Sequence, residues 1–156
     1  MQKTTIPSEK EALNKAASLC SQRECCPSEI REKLQRWGVE AETSERIVAR
    51  LVEERFIDEA RYCRAYALDK MRYNRWGRVK INQMLRMMGL PEVHRRAALT
   101  ELPDDEYIEI MRHLIQQKLP SIRARSEYER RAKLLRFIVG RGFESDLAID
   151  EVERAS

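Results

Sequence analysis

The chain has 156 residues, of which 42% are hydrophobic and 36% charged, with a formal net charge of +4. Five glycines and five prolines are too few for the many turns of a β-sandwich or barrel, and no two glycines have the spacing of a phosphate-binding loop. No apolar run reaches the ~18–20 residues that span a bilayer, and the first ten residues lack the apolar core of a signal peptide. We therefore expect a soluble, helical protein of the cytoplasm that makes no membrane contact.

Helix-start signals recur along the chain, and each is followed by apolar residues at helical spacing. Capping-box patterns begin at Ser8 and Ser126, and Asp58 can cap another helix. The remaining starts are marked by Pro27, Thr43 or Ser44, Gly77, Pro91, Asp104 and Ser145. Together these signals predict nine helices and an all-α fold.

Three glycines reveal an internal repeat. Gly38, Gly89 and Gly142 each follow a helix with Ile or Leu eight and four residues earlier, and each precedes an apolar residue. This pattern predicts three tandem three-helix repeats, since a unit of roughly fifty residues buries little core alone and must pack on its neighbours. We expect an elongated, curved molecule with repeats at 8–57, 58–102 and 103–156.

The small net charge hides strongly charged segments. Residues 61–96 hold ten basic and two acidic residues, and residues 112–141 hold nine basic and two acidic residues. Acidic segments at 97–111 and 142–156 offset them. Because few acids within the basic segments can pair with them, we predict that they contact a polar partner. The candidate contact residues are Arg61, Arg64, Arg72, Arg75, Arg78, Lys80, Arg86, Arg123, Arg125, Arg130, Arg131 and Lys133.

Three segments are similar to the RecX family of bacterial RecA regulators, in the order and spacing of that family. The first runs from Phe56 to Tyr62 (FIDEARY). The second runs from Trp76 to Leu90. It contains a Gly, then Ile81 and Leu85 four residues apart, and then Gly89 followed by an aliphatic residue. The third runs from Arg136 to Phe143 (RFIVGRGF). One departure is Cys26, which stands where the family often has a serine that caps its second helix.

The resemblance implies tandem three-helix repeats that bind RecA along the groove of its filament on DNA. It further implies inhibition of the ATPase, strand-exchange and coprotease activities of RecA, a role in DNA repair and the SOS response, and no enzymatic activity. We expect a monomer. The alternative is a non-specific DNA-binding protein that acts without RecA, because arginine-rich faces suit DNA phosphates as well as an acidic protein surface.

Base reading by a helix-turn-helix is disfavoured. Such a reader concentrates basic and amide side chains on its third helix. Here residues 43–55 and 91–102 are each net neutral, and residues 143–156 are acidic.

Other residues are assigned mainly to structure. Tyr62 and Tyr66 are expected to pack in the core, whereas Tyr73 and Trp76 remain open to stacking on bases. Of the methionines Met84, Met87 and Met88, two fit the apolar stripe of their helix. The spacing of Cys20, Cys25, Cys26 and Cys63 is wrong for a zinc knuckle, so reduced thiols are expected. We predict no catalytic, cofactor-binding or metal-binding residue.

Overall fold

The structure, a computed structural model, describes residues 5–155. Within that range the chain forms nine α-helices and no strand, which confirms the predicted fold class. Residues 1–4, in the segment judged to lack a signal core, and residue 156, the end of the third predicted repeat, lie outside the described residues. The helices are α1 (Glu9–Gln22), α2 (Pro27–Arg36), α3 (Ala41–Glu53), α4 (Glu59–Asp69), α5 (Arg78–Met87), α6 (Glu92–Thr100), α7 (Asp104–Lys118), α8 (Glu127–Gly140) and α9 (Ser145–Arg154).

The strongest predicted helix starts are confirmed. The side chains of Ser8, Asp58 and Ser126 each accept a hydrogen bond from the backbone N–H three residues later, which satisfies a donor that the helix leaves open. The cap predicted at Thr43 or Ser44 is wrong, because α3 already begins after Glu40. Ser44 is instead buried within that helix. Ser145 is likewise the first residue of α9 rather than its cap.

The repeated glycines end three helices by one hydrogen-bonding pattern. Gly38, Gly89 and Gly142 have φ angles of 84°, 80° and 96°, a left-handed conformation that a side chain would strain. The residue after each glycine donates its N–H to the carbonyl of the Leu or Ile four residues before that glycine, over 3.0, 3.2 and 3.4 Å. This is the Schellman motif, in which an apolar residue after the glycine packs back on the helix. The pattern read in the sequence therefore has a local structural cause.

The helices form three units, which we call unit 1 (α1–α3), unit 2 (α4–α6) and unit 3 (α7–α9). Unit 1 has a hydrophobic core of its own, with Ile30, Leu34 and Leu51 at its centre. Units 2 and 3 share one continuous core. Cys26 joins this second core from the start of α2, so unit 1 also packs on unit 2.

The end of α4 departs from the regular helix that the sequence predicts. Residues 70–74 form a π-helical turn, and Arg75 then takes a left-handed conformation with φ 56°. The N–H of Trp76 closes the turn on the carbonyl of Lys70 over 3.1 Å. A π-turn and a left-handed non-glycine residue are both uncommon and need support from their surroundings. Here they direct the chain from α4 into the junction with unit 3.

Candidate partner-binding surface

Units 2 and 3 meet through a direct contact between two backbones. The N–H of Gly77 donates to the carbonyl of Arg141 over 3.0 Å, and the N–H of Val79 donates to the carbonyl of Gly142 over 2.9 Å. A Cβ atom at Gly77 would lie 2.3 Å from the backbone of Gly142. Only glycine allows this approach, so the start of α5 is fixed against the turn between α8 and α9.

Arg78 is the main side chain in this junction. Its guanidinium donates to the carbonyl of Leu99 over 3.0 Å, to Asp104 over 2.9 Å and to Glu144 over 3.1 Å. It also lies 4.0 Å from the centre of the Tyr107 ring, where a cation is attracted to the aromatic face. The side chain is only 19% exposed. Arg78 was predicted to contact a partner, but its donors are largely occupied within the protein.

Tyr107 completes the same junction. Its buried hydroxyl accepts a hydrogen bond from the N–H of Arg78 over 3.0 Å and donates one to Glu144. Burial and the hydrogen bond to Glu144 raise the pKa of Tyr107 well above its usual value. The phenol therefore stays protonated and remains a donor.

The junction between units 1 and 2 also uses one predicted contact residue, Arg61. Arg61 donates to Glu24 over 2.5 Å and to the carbonyls of Arg55 and Phe56. Tyr62 donates to Glu29 over 2.6 Å.

The environment of Glu29 keeps this carboxylate charged. Burial pushes its pKa upward, but the hydrogen bonds from Tyr62 and Arg23 outweigh that effect, and the net pKa is lowered. The carboxylate therefore remains ionised as the acceptor of the Tyr62 hydroxyl.

Several other predicted residues have polar partners, most of them acidic, that come from distant segments or from the same helix. The guanidinium of Arg72 donates bidentate hydrogen bonds to the carboxylate of Glu106 over 2.8 and 3.1 Å. Arg75 donates to Gln117 over 3.0 Å, and Arg64 lies 4.0 Å from Glu101. Two more pairs are Arg130 with Glu127 and Lys133 with Glu129. Few acids lie within the basic segments, as the sequence shows, but folding also brings Glu101 and Glu106 from the neighbouring acidic segment against Arg64 and Arg72.

Three predicted residues keep exposed guanidinium groups with no ion pair in the described part of the chain. They are Arg86 on α5 and Arg123 and Arg125 in the segment before α8. Arg131 is exposed on α8, and Lys80 lies 4.5 Å from the centre of the Trp76 ring. The structure thus separates arginines that fix the junctions from arginines that face outward.

A cleft of about 860 Å³ lies beside α5 and α6. We call it the arginine cleft. Its basic residues are Arg78, Arg86, Arg95 and Arg96, and its acidic residues are Glu92, Asp104 and Glu144. Arg95 and Arg96 are not among the predicted contact residues, because the net charge of residues 91–102 is zero and a count of charges hides which side chains share a face. The sequence did hold one signal for a polar face at this cleft. Asn82 and Arg86 are four residues apart on α5, so they lie on the same face of that helix.

The aromatic residues and methionines of unit 2 divide between the core and the surface. Tyr62 is buried, and Tyr66 and Trp76 pack on the core of units 2 and 3, whereas Tyr73 is 80% exposed. Met88 also packs on that core, but Met87 is 81% exposed.

The four cysteines are free and buried. Burial raises the pKa of Cys20 to about 12 and that of Cys63 to about 11. The described residues contain no group of three His, Cys, Asp or Glu that could hold a metal ion. In the same range, no helix is long and apolar enough to cross a membrane.

Comparison with known proteins gives matches along most of the chain. Three family models, described as the first, second and third three-helix domains of RecX, match residues 12–51, 58–99 and 104–149. A protein named Regulatory protein RecX from Prosthecochloris aestuarii is 32% identical over 87% of this chain and 87% of its own length. Another of that name from Leuconostoc mesenteroides is 24% identical over 92% of this chain but only 54% of its own length.

The fold is also found in a solved structure. The crystal structure of RecX from Lactobacillus salivarius has a TM-score of 0.82 to this chain, with 94% of this chain and 95% of that one covered. At 18% identity this likeness concerns the fold alone. Together with the domain matches, it confirms an all-α fold of three three-helix domains.

Proposed function

Because this chain belongs to the RecX family of regulatory proteins, we propose that it binds RecA filaments on DNA and inhibits their activities. The observation that carries the proposal is the match of all three RecX domains, in order, across residues 12–149. A regulatory role in the context of RecA follows from the family. Binding, inhibition of the ATPase, recombinase and coprotease activities, and a monomeric state in the cytoplasm are our proposals.

The proposed mechanism is occupancy of the filament groove. Three units in tandem form a repeat array, and we propose that its surface touches more than one subunit of the filament. The protein would wedge along the groove, bridge neighbouring subunits, and thereby alter nucleotide turnover or block entry of a duplex. We propose that the repeat limits are 8–57, 58–102 and 103–156, so that each unit forms one step along the groove.

The structure changes which residues we assign to the contact. Arg61, Arg72 and Arg78 hold the units together through Glu24, Glu106 and Glu144, so we assign them the role of setting the shape of the surface. The outward guanidinium groups of Arg86, Arg123 and Arg125 are the better candidates for direct contact, because no carboxylate among residues 5–155 pairs with them. We retain Arg64, Arg75, Lys80, Arg130, Arg131 and Lys133 as secondary contacts.

The second candidate function is non-specific binding to DNA without RecA. The exposed Tyr73 beside Arg72 and Arg75 favours it, since an aromatic ring amid cations can stack on a base while the cations meet phosphates.

The test is the ATPase activity of RecA on single-stranded DNA, with this protein added at sub-stoichiometric amounts. We expect inhibition, and we expect it to weaken when Arg86, Arg123 and Arg125 are all changed to Ala. The control changes Arg36 and Arg50 to Ala, since these exposed arginines form ion pairs only within their own region, with Glu32 and Glu54. If the ATPase is untouched while the protein still shifts naked DNA in a gel, the RecA proposal fails and the DNA-binding alternative stands.

A further inference from the structure

We propose that the arginine cleft binds one carboxylate group from an acidic segment of a protein partner. This inference rests on the proposed function, since it concerns how a protein surface is held. Arg86 and Arg95 would be the binding residues, and neither has an ion pair in the part of the chain that the structure describes. The cleft is formed entirely by units 2 and 3.

The charges that line the cleft are nearly balanced. Arg78 forms ion pairs with Asp104 and Glu144, and Arg96 forms an ion pair with Glu92 over 2.5 Å. Four arginines face three carboxylates, so the lining carries a net charge of +1. One monovalent anion would neutralise it.

Arg95 is poorly satisfied within the protein. Among the described residues its guanidinium makes one hydrogen bond, a long one of 3.4 Å from a terminal nitrogen to the amide oxygen of Asn82. Its Nε is buried and has no hydrogen-bond acceptor among the described residues. A half-buried guanidinium without a counter-charge gains from an anion more than an exposed one does, because water screens it less.

Arg86 supplies the accessible end of the same site. It lies four residues after Asn82 on α5 and is exposed. Two guanidinium groups that converge on one cleft match the two oxygens of a carboxylate, which accept hydrogen bonds in parallel. The amide nitrogen of Asn82 adds a neutral donor beside them.

The acidic rim distinguishes this site from a track for nucleic acid. A phosphate backbone carries a charge at every nucleotide, so it binds best along a continuous stripe of unpaired cations. Here a strand that passed over Arg86 would also pass Glu92 and Asp104, the latter with a side chain that is 87% exposed. The carboxylate of a glutamate or aspartate stands on a flexible side chain, so it can enter the cleft alone while the rest of the segment stays away from Glu92 and Asp104.

The experiment titrates the full chain with a hexaglutamate peptide and, separately, with hexathymidylate. The Arg Nε–Hε signals are followed by NMR, and the affinity is measured by fluorescence anisotropy of labelled probe. We expect hexaglutamate to shift the signals of Arg86 and Arg95. Arg86→Ala should weaken its binding about tenfold, the loss of one charge-assisted hydrogen-bonding group. Arg36→Ala, which removes the same charge from unit 1, should change it less than twofold.

A second variant is expected to change the affinity for hexaglutamate in the opposite direction. Glu92→Gln releases Arg96 and raises the charge of the cleft by one, so hexaglutamate should bind about twofold to fivefold more tightly. The proposal would be overturned if hexathymidylate shifted the same two signals, or if its affinity fell as much on Arg86→Ala. It would also be overturned if hexaglutamate left both signals unchanged. If hexaglutamate binds in the cleft but the protein never alters the ATPase of RecA, the proposed function fails and the carboxylate site stands.

Discussion

Tyr62 and Tyr107 each stand four residues after the N-cap of the first helix of their unit, and each links that unit to the second helix of the unit before it. Tyr62 does so by donating to Glu29 on α2. Tyr107 does so by accepting the N–H of Arg78 at the start of α5. The two unit junctions are thus built on one plan, but with the direction of the hydrogen bond reversed.

This reversal predicts unequal costs for removing the two hydroxyls. Tyr107→Phe leaves the N–H of Arg78 without its buried acceptor and removes one of the two donors to Glu144, which keeps Arg78, so we expect the free energy of unfolding to fall by about 2–3 kcal/mol. In Tyr62→Phe, Glu29 keeps its contact with Arg23 over 2.7 Å, and we expect a loss of about 1 kcal/mol. Urea denaturation measures both values. Tyr73→Phe, at an exposed ring, is the control, and an equal loss in all three variants would contradict the prediction.

Arg78 and Arg86 lie on the same helix and predict opposite outcomes of the same substitution. Arg78→Lys keeps the positive charge but cannot reach Leu99, Asp104 and Glu144 together, because an ammonium group lacks the planar fork. We expect a loss of stability of about 2 kcal/mol. Arg86→Lys should stay within about 0.5 kcal/mol, since its group is exposed. Thermal and urea unfolding decide this, and a larger effect at Arg86 would show that Arg78 does not hold the junction.

The contact between Gly77 and Gly142 predicts that added methyl groups separate the units. Alanine at Gly77 must displace the backbone of Gly142, and alanine at Gly142 meets both Lys80, 2.3 Å away, and a left-handed φ. We expect each change to destabilise the protein by at least about 2 kcal/mol. Gly140 is the matched control, because it lies at the end of α8 with open space around it. Gly140→Ala should be neutral or stabilise by up to about 1 kcal/mol.

Glu29 predicts a pH dependence of the junction between units 1 and 2. A carboxyl whose pKa is lowered by folding contributes stability that is complete above its unfolded pKa of about 4.3 and is lost as the pH falls through its folded pKa. The wild-type protein should therefore lose more stability than Glu29→Gln when the pH falls from about 6 to about 3. Urea denaturation across this range tests it. A constant difference between the two proteins would mean that Glu29 does not titrate with folding.

The fold could be predicted because its signals are local. A left-handed glycine, an apolar residue four positions before it and another directly after it form one hydrogen-bonded unit, so Gly38, Gly89 and Gly142 were readable without any tertiary information. The caps at Ser8, Asp58 and Ser126 were readable for the same reason. The starts of α3 and α9 were not, since Glu40 and Glu144 precede them without a side-chain cap.

The surface was harder to predict, because an ion pair depends on segments far apart in the chain. A count of charges along the sequence placed Arg72 in a segment poor in acids, yet Glu106 lies against it in the folded protein. The same kind of count hid Arg95, because its acidic neighbours in sequence, Glu92 and Glu101, pair with Arg96 and Arg64 instead. The π-helical turn before Arg75 had no signal that we recognised, because a left-handed residue that is not glycine is held by its surroundings.

The paired backbones at Gly77 and Gly142 give the molecule a built-in reporter. The N–H groups of Gly77 and Val79 are hydrogen-bonded to carbonyls of unit 3, so both can exchange with solvent only when that unit moves away. Their hydrogen-exchange rates therefore measure how often the third unit detaches. Measured with and without a filament, those two amides would tell whether the protein engages its partner as one rigid piece or opens to do so.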